Sequence, residues 1–389
     1  MDCTGCLTAG DTERPREKRD VEKFCIFCGE RPESKTKEHI IPRWLIELTG
    51  DPKRVAGFGI DWRTPTKEGR QFSFDSFAFP ACWKCNDAFS ALEASAKPVL
   101  EAILSEAAIS AADWDTFLDW IDKVRTGLWL GMLYLNRNWR GITPRFHVAT
   151  RTGAKDRVLI TYRLTGAAGR GLRWLGTESP LFQDMPSCFV MMVKNYLFFS
   201  LSCDFLLAER LGLPYPGRRS RRAEGGEWVE MCEGTGQLKV PLPPPGCQFK
   251  TGGTQLYQPT IPRGFFAPDA GGGTVPSHLY DSEYVRSVMM DYQAGKGLVF
   301  RRAGLGLQVY PSEPTLEWRP KQTFEPGPAV YEVTLMAFDA LESLYSGYAA
   351  LDCPDDERAE ATARNLRDSI EGHRLFRDLL VRDKWRFRA

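Results

Sequence analysis

Two cysteine pairs decide the fold of the N-terminal region: CIFC at residues 25–28 and CWKC at residues 82–85. Each CxxC pair presents two thiolates on one tight turn, and two such turns complete a tetrahedral Zn²⁺ site. The stretch between the pairs is longer than a plain zinc ribbon needs, so it must hold structure of its own. We therefore predict a closed, structural zinc site with four ligands, Cys25, Cys28, Cys82 and Cys85. The alternative is a chance spacing among the eleven cysteines of the chain.

A second motif, EHIIP at residues 38–42, stands between the pairs, and Asn86 directly follows the second pair. Phosphodiester hydrolysis needs a base that takes a proton from water and a metal ion that neutralises charge on the phosphate. His39 suits the base because imidazole titrates near neutral pH. Glu38 and Asn86 offer hard oxygen ligands that suit Mg²⁺ or Mn²⁺. In a strand, Glu38 and His39 would point to opposite faces, so one site can use both only if the strand is twisted or bulged.

The succession of CIFC, EHIIP and CWKCN resembles the HNH endonuclease family over about residues 24–104. The resemblance implies a ββα-metal module in which Glu38 and Asn86 bind the catalytic metal and His39 is the base. The family's middle asparagine has no counterpart, because its expected position falls in residues 72–79, which contain none. Asp75 or a backbone carbonyl is the candidate to orient His39 instead. The long separation of His39 from Cys82 predicts an inserted pair of strands, around residues 55–62 and 71–79.

A helical pattern follows the second cysteine pair, from Ser90 to about Trp139, with Pro98 as a point where the first helix would kink or divide. Asn86, Ser90 and Glu93 share one face of such a helix. Glu93 is therefore a candidate third oxygen ligand or a residue that supports a ligand. The alternative is a charge on a solvated helix surface.

Basic residues near the motif and further along the chain are candidates for contact with nucleic-acid phosphates. An arginine run at residues 218–222 is expected in an exposed loop, where it would grip a nucleic-acid backbone or simply be solvated. The candidates are Lys37, Arg43, Lys84, Arg218, Arg219, Arg221 and Arg222.

Composition limits the class of protein. The 389 residues are 43% hydrophobic and 26% charged, which is typical of a globular protein of two or three domains. Lys plus Arg number 51 against 50 Asp plus Glu, so any nucleic-acid surface must be a local patch. The first residues lack the apolar core of a secretory signal, and no run of about 18 apolar residues is uninterrupted. We expect a cytoplasmic protein with reduced thiols and no membrane contact.

These patterns predict an α+β chain with an N-terminal zinc-stabilised ββα-metal (HNH) module, a helical connector and a β-rich C-terminal region that ends in helices. The predicted boundaries are a mobile leader at 1–20, the nuclease module at 21–104, the connector at 105–144 and an α+β region at 145–389. Within the last region the pattern predicts a β-hairpin at 189–200 and a helix at 361–380. Its role is open between substrate recognition, sensing, and assembly with a second copy or another protein.

The expected function is metal-dependent hydrolysis of phosphodiester bonds in DNA, double-stranded DNA before RNA, with prokaryotic defence against foreign DNA as the suggested setting. The alternative is a non-catalytic zinc-dependent protein that binds nucleic acid or acts as a scaffold and contains a decayed nuclease module. The two differ in whether Glu38, His39 and Asn86 converge on one site.

Overall fold

Among the described residues, the long helices lie towards the two ends of the sequence and most strands lie between them, together with one short helix at Pro180–Asp184. The computed structural model describes residues 24–33, 36–60, 69–137, 156–166, 171–203, 215–221, 227–232, 252–259, 289–291, 296–304, 306–349 and 357–382. The described helices are α1 (Arg43–Leu48), α2 (Trp83–Leu104), α3 (Ala111–Leu135), α4 (Pro180–Asp184), α5 (Pro326–Ala349) and α6 (Glu357–Arg382). None of these helices combines the length and apolar composition that a membrane crossing requires.

Strands occur in both halves of the chain, which confirms the mixed α and β class. The described strands are β1 (Lys37–His39), β2 (Val55–Ile60), β3 (Gly69–Ser73), β4 (Ala78–Pro80), β5 (Asp156–Leu164), β6 (Leu172–Leu175), β7 (Cys188–Val193), β8 (Tyr196–Cys203), β9 (Tyr215–Arg221), β10 (Glu227–Cys232), β11 (Thr254–Gln258), β12 (Met289–Asp291), β13 (Lys296–Gly297), β14 (Phe300–Ala303), β15 (Gly306–Val309) and β16 (Thr323–Phe324).

The N-terminal region consists of two antiparallel strands and a helix, with an inserted ribbon. β1 pairs with β4, so that His39 lies opposite Ala78, and α2 begins three residues after β4 ends. β2 and β3 form the ribbon, as the sequence predicted. The second predicted strand, at 71–79, was wrong in its extent, because β3 ends at Ser73 and a short 3₁₀ turn follows. Residues 78–80 form the separate strand β4, which pairs with β1.

The sequence pattern predicted the long helices α2 and α3, and a capping residue explains where each of them begins. The Sγ of Cys82 caps α2 by accepting a hydrogen bond from the Cys85 N–H, at 3.4 Å. Ser110 caps α3 in a capping box with Asp113, which satisfies two backbone N–H groups. The helix was not divided at Pro98, contrary to one expectation, because α2 continues through this residue to Leu104.

The C-terminal half is built on one large sheet. Its strand order is β15-β14-β11-β5-β8-β7-β6, and β16 pairs with β5 in parallel. The predicted hairpin is confirmed, because β7 and β8 pair in antiparallel register around a turn in which Lys194 has φ +50°. The predicted C-terminal helix is confirmed as part of α6. The sheet packs against α3 with apolar side chains, for example Phe198 of β8 against Phe117.

α3 is buried between the N-terminal strands and the large sheet, and it carries charge into the interior. Asp122, Lys123 and Arg125 are each at most 1% exposed. Arg125 pairs with Asp122 at 2.6 Å and donates to Ser200 of β8 at 3.3 Å, on the side of the sheet. Lys123 contacts residues of β1 and α2 instead. The segment predicted as a connector therefore contains a central helix of the molecule.

The arginine run requires a correction. Tyr215–Arg221 is strand β9, not a loop, and it pairs with β10 so that Arg218 lies opposite Glu230 and Arg221 opposite Glu227. Residue 222 and the predicted leader at 1–20 lie outside the described residues.

Candidate functional site

The four cysteines of the two CxxC pairs form one cluster. Their Sγ atoms all lie within 4.8 Å of one another, and the Sγ atoms of Cys28 and Cys82 are 3.7 Å apart. A tetrahedral zinc ion with Zn–S bonds of about 2.3 Å has sulfur–sulfur edges of about 3.8 Å. The cluster therefore has the ligand type and spacing to bind a metal such as zinc, as the sequence predicted.

Backbone hydrogen bonds hold the two cysteine turns in place. In the first turn, Gly29 N–H donates to the Cys25 carbonyl at 2.9 Å, and Gly29 adopts φ +80°, a conformation that glycine tolerates without a steric penalty. Ile26 N–H donates to the Pro80 carbonyl at 3.0 Å, which ties this turn to the end of β4. The second turn is the start of α2. The cluster thus fixes a loop, a strand and a helix relative to one another.

The thiols of the cluster differ in acidity. A hydrogen bond with Cys85 is the main cause that lowers the pKa of Cys25 to about 4, against the effect of its burial. Burial raises the pKa of Cys28 to about 12, and the hydrogen bond with Cys25 raises the pKa of Cys85. Cys25 is therefore more acidic than Cys28 and Cys85.

Two carboxylates converge on the ammonium of Lys123. Glu38 Oε1 accepts a hydrogen bond from Lys123 Nζ at 2.8 Å, and Glu93 Oε1 accepts one at 2.6 Å. The same ammonium contacts the backbone carbonyls of His39 at 3.2 Å and Ile40 at 3.1 Å. Strand β1, helix α2 and helix α3 thus meet at one buried charged centre.

The electrostatics of this centre follow from burial and charge. Burial alone would lower the pKa of Lys123, but the charges of Glu93 and Glu38 outweigh it, and the pKa is raised. Burial raises the pKa of Glu93 to about 7, and the nearby charge of Glu38 adds to this effect, while Lys123 opposes it. The lysine is therefore charged, and Glu38 and Glu93 share its single positive charge.

His39 lies next to this centre on the strand. Its Nδ1 is buried and has no hydrogen-bond partner among the described residues, so neither Asp75 nor a backbone carbonyl contacts the imidazole at this atom. Burial lowers the pKa of His39, and the positive charges of Arg43, Lys123 and Lys37 add to this effect. Asp75 acts only through its charge, which raises the pKa. The imidazole is therefore neutral at neutral pH and able to accept a proton.

The remaining predicted residues lie around this centre without joining it. Asn86 is half-buried in the first turn of α2, its N–H donates to the Cys82 carbonyl at 3.0 Å, and its side chain makes no hydrogen bond with a described residue. Lys37, Arg43 and Lys84 are exposed and form no ion pair within the described part of the chain. The structure thus leaves these three cations open to solvent, as a phosphate contact requires.

Lys123 is the residue of this site that sequence reasoning missed. The available signal was a pair of charges, Asp122-Lys123, inside the apolar run of a predicted helix. A buried lysine needs partners, since an unpaired charge is very costly in the interior. That signal predicts a partner, but it does not identify Glu38 and Glu93.

Glu38 and Glu93 also offer oxygen atoms of the type that binds divalent ions. Each carboxylate uses Oε1 for Lys123, and the second oxygen of each makes no hydrogen bond with a described residue. Carboxylate oxygens suit Mg²⁺ and Mn²⁺. Among His, Cys, Asp and Glu of the described residues, however, only the four cysteines form a cluster of three or more ligand atoms. The two glutamates would therefore need Asn86 or water to complete a coordination sphere.

Comparison with known proteins gives no relative from which a function can be transferred. No family model, no curated protein and no solved structure matches this chain. Inference about function therefore depends on the residues and geometry described above.

Proposed function

We propose that this chain is a metal-dependent endonuclease of the HNH type, which hydrolyses phosphodiester bonds in DNA. The observation that carries the proposal is the meeting of Glu38 and Glu93 at the ammonium of Lys123, which also contacts the backbone carbonyl of His39. The succession of β1, β4 and α2, with four thiols at the junction, supports it because a ββα-metal module has this order of elements. Defence against foreign DNA in a prokaryote is the setting that we propose from the family resemblance.

Each residue has a role in the proposed reaction. A bound Mg²⁺ or Mn²⁺ ion would supply charge neutralisation at the phosphate. Glu38, Glu93 and Asn86 would hold it, and the neutral imidazole of His39 would take the proton from the attacking water. A zinc ion on the four cysteines would hold the first cysteine turn and the end of β4 against the start of α2. Lys37, Arg43 and Lys84 would contact phosphates on either side of the scissile bond.

A second candidate function has an observation in its favour. The ammonium of Lys123 already supplies a positive charge to Glu38 and Glu93, so these carboxylates are neutralised in part without a divalent ion. A decayed nuclease that retains its zinc cluster and only binds nucleic acid, or serves as a scaffold, would tolerate such an arrangement.

The test is cleavage of plasmid, linear DNA, single-stranded DNA and RNA in the presence of Mg²⁺ or Mn²⁺. His39→Ala should lower the cleavage rate by roughly 10²- to 10⁴-fold because it removes the base. Its zinc content and circular dichroism should equal those of the wild type.

Asp87→Asn is the matched control, because Asp87 is an exposed residue of the same helix turn as Asn86. It should cut at the wild-type rate. If His39→Ala cleaves at the wild-type rate, His39 is not the base. If the wild type cleaves none of these substrates with either metal, the non-catalytic alternative is favoured.

A further inference from the structure

Lys123 is held far more completely than a surface charge would be. Its side chain is 0% exposed, and its ammonium lies within 3.2 Å of four oxygens, two from carboxylates and two from backbone carbonyls. An ammonium has three N–H groups, so the four oxygens exhaust its donors. Withdrawal of Lys123 would leave buried carbonyls and carboxylates without a donor, and we conclude that its position is fixed.

The exposed fractions of the three side chains show on which side of the carboxylates the ammonium lies. Lys123 is 0% exposed, the Glu38 side chain 7% and the Glu93 side chain 15%. The ammonium therefore lies behind the two carboxylates as seen from solvent. Each carboxylate turns Oε1 towards it and keeps a second oxygen free of hydrogen bonds from described residues.

The carboxylates of Glu38 and Glu93 both lie within 2.8 Å of the same ammonium, so they are close to each other. Two negative charges this close repel each other, and the repulsion is strong where water is largely excluded. Glu38 comes from β1 and Glu93 from α2, and no hydrogen bond joins the two directly within the described residues. Lys123 of α3 is the group that bridges them. It thus fixes the separation of two side chains that would otherwise move apart.

We propose that Lys123 is a positioning residue of the divalent-metal site, which holds Glu38 and Glu93 side by side so that their outer oxygens bind one Mg²⁺ or Mn²⁺ ion. This inference rests on the proposed nuclease function. In the alternative, the ammonium occupies the position of the metal ion and competes with it. The positioning role predicts weaker metal binding when Lys123 is removed, whereas competition predicts tighter binding.

The test is the binding of Mn²⁺ to the zinc-loaded full chain, followed by electron paramagnetic resonance of the free ion. Lys123→Met fills the same space without the charge, and it should weaken Mn²⁺ binding by roughly 10- to 100-fold, as the loss of a residue that supports a ligand does. Glu38→Gln should weaken it as well, because it removes a ligand. Lys123→Gln, which keeps two N–H donors, should lie between the wild type and Lys123→Met, and it replaces that variant if the methionine protein does not fold.

Arg125→Met is the matched control for a merely structural effect. It removes another buried cation of α3, two residues away, which faces the large sheet. It should lower the melting temperature but leave the affinity for Mn²⁺ unchanged. Mn²⁺ binding that is equal or tighter in Lys123→Met would overturn the positioning role alone, whereas a wild type that binds no Mn²⁺ would overturn both this inference and the proposed nuclease.

Discussion

Single residues of α3 determine how closely the proposed nuclease strands approach the helix. Gly127 and Gly131 lie one turn apart and face β1 and β4. A Cβ at Gly131 would lie 2.9 Å from both Ile40 Cδ1 and Phe79 Cζ, and one at Gly127 would lie 3.0 Å from Ile40 Cγ2. Glycine inside a helix costs about 1 kcal/mol relative to alanine, and here the close approach offsets it. This approach also brings the Ile40 carbonyl within reach of Lys123.

Gly131→Ala should destabilise the protein, although alanine favours a helix. The added methyl would overpack a rigid contact, and overpacking costs about 1 to 3 kcal/mol. We therefore expect a lower urea midpoint than that of the wild type. Gly57→Ala is the control, because a Cβ at Gly57 meets no atom within 4 Å, and its midpoint should change little. An unchanged or higher midpoint for Gly131→Ala would show that the strands are not pressed against α3.

At the scale of elements, the four-cysteine cluster joins a loop, the end of β4 and the start of α2. Sequence spacing predicted all four thiols because a CxxC turn is a local structure. The same spacing could not show that Cys82 would also cap α2 or that Ile26 would bond to Pro80. The two cysteine turns therefore form a cluster that could hold a metal ion, and they also cap a helix and contact the end of a strand.

Cys85→Ser should abolish stoichiometric zinc binding and unfold the N-terminal region, because an ion on four cysteines supplies much of the stability of a small domain. The measurements are zinc content by mass spectrometry and thermal unfolding with and without a chelator. Cys188→Ala is the control, since Cys188 is buried in β7 and lies outside the cluster. It should retain the zinc of the wild type. Wild-type protein that contains no zinc when purified without chelator would contradict the structural role of the cluster.

At the scale of the whole molecule, buried charges link regions that are distant in sequence. Arg157 of β5 pairs with Asp119 of α3 at 2.7 Å, and Lys296 of β13 pairs with the same aspartate at 2.5 Å. In the C-terminal half, His373 of α6 is 0% exposed, its Nδ1 bonds to Ser179 at 2.5 Å and its Nε2 to the Phe338 carbonyl at 2.9 Å. These contacts hold the last helix against the start of α4 and against α5.

His373 should make the folded state sensitive to mild acid. Burial lowers its pKa to about 4 in the folded chain, whereas an unfolded histidine has a pKa of about 6.5. The unfolded state thus binds more protons between these values, and stability is complete above pH 6.5 and is lost as the pH falls towards 4. Between pH 7.5 and pH 4.5 the loss should reach about 2.5 kcal/mol, measured by urea unfolding at the two pH values.

His373→Gln cannot take up a proton, so its midpoint should depend less on pH over this range than that of the wild type. Ser179→Ala removes one hydrogen bond but leaves the imidazole buried. It should be less stable at every pH and still lose stability on acidification. An acid dependence in His373→Gln as steep as that of the wild type would assign the effect to other groups.

The sequence by itself determined what depends on neighbours in the chain: the CxxC turns, the hairpin of β7 and β8, the long helices and the mixed α and β class. It did not determine that residues 215–221 form a strand, because a run of arginines beside a proline and a glycine lacks the alternation of apolar and polar residues that predicts a strand. Only the tertiary structure brought Lys123 to Glu38, 85 residues away, and to Glu93, 30 residues away. Periodicity shows which face of an element is buried, but the side chain that meets it is chosen by how the elements pack.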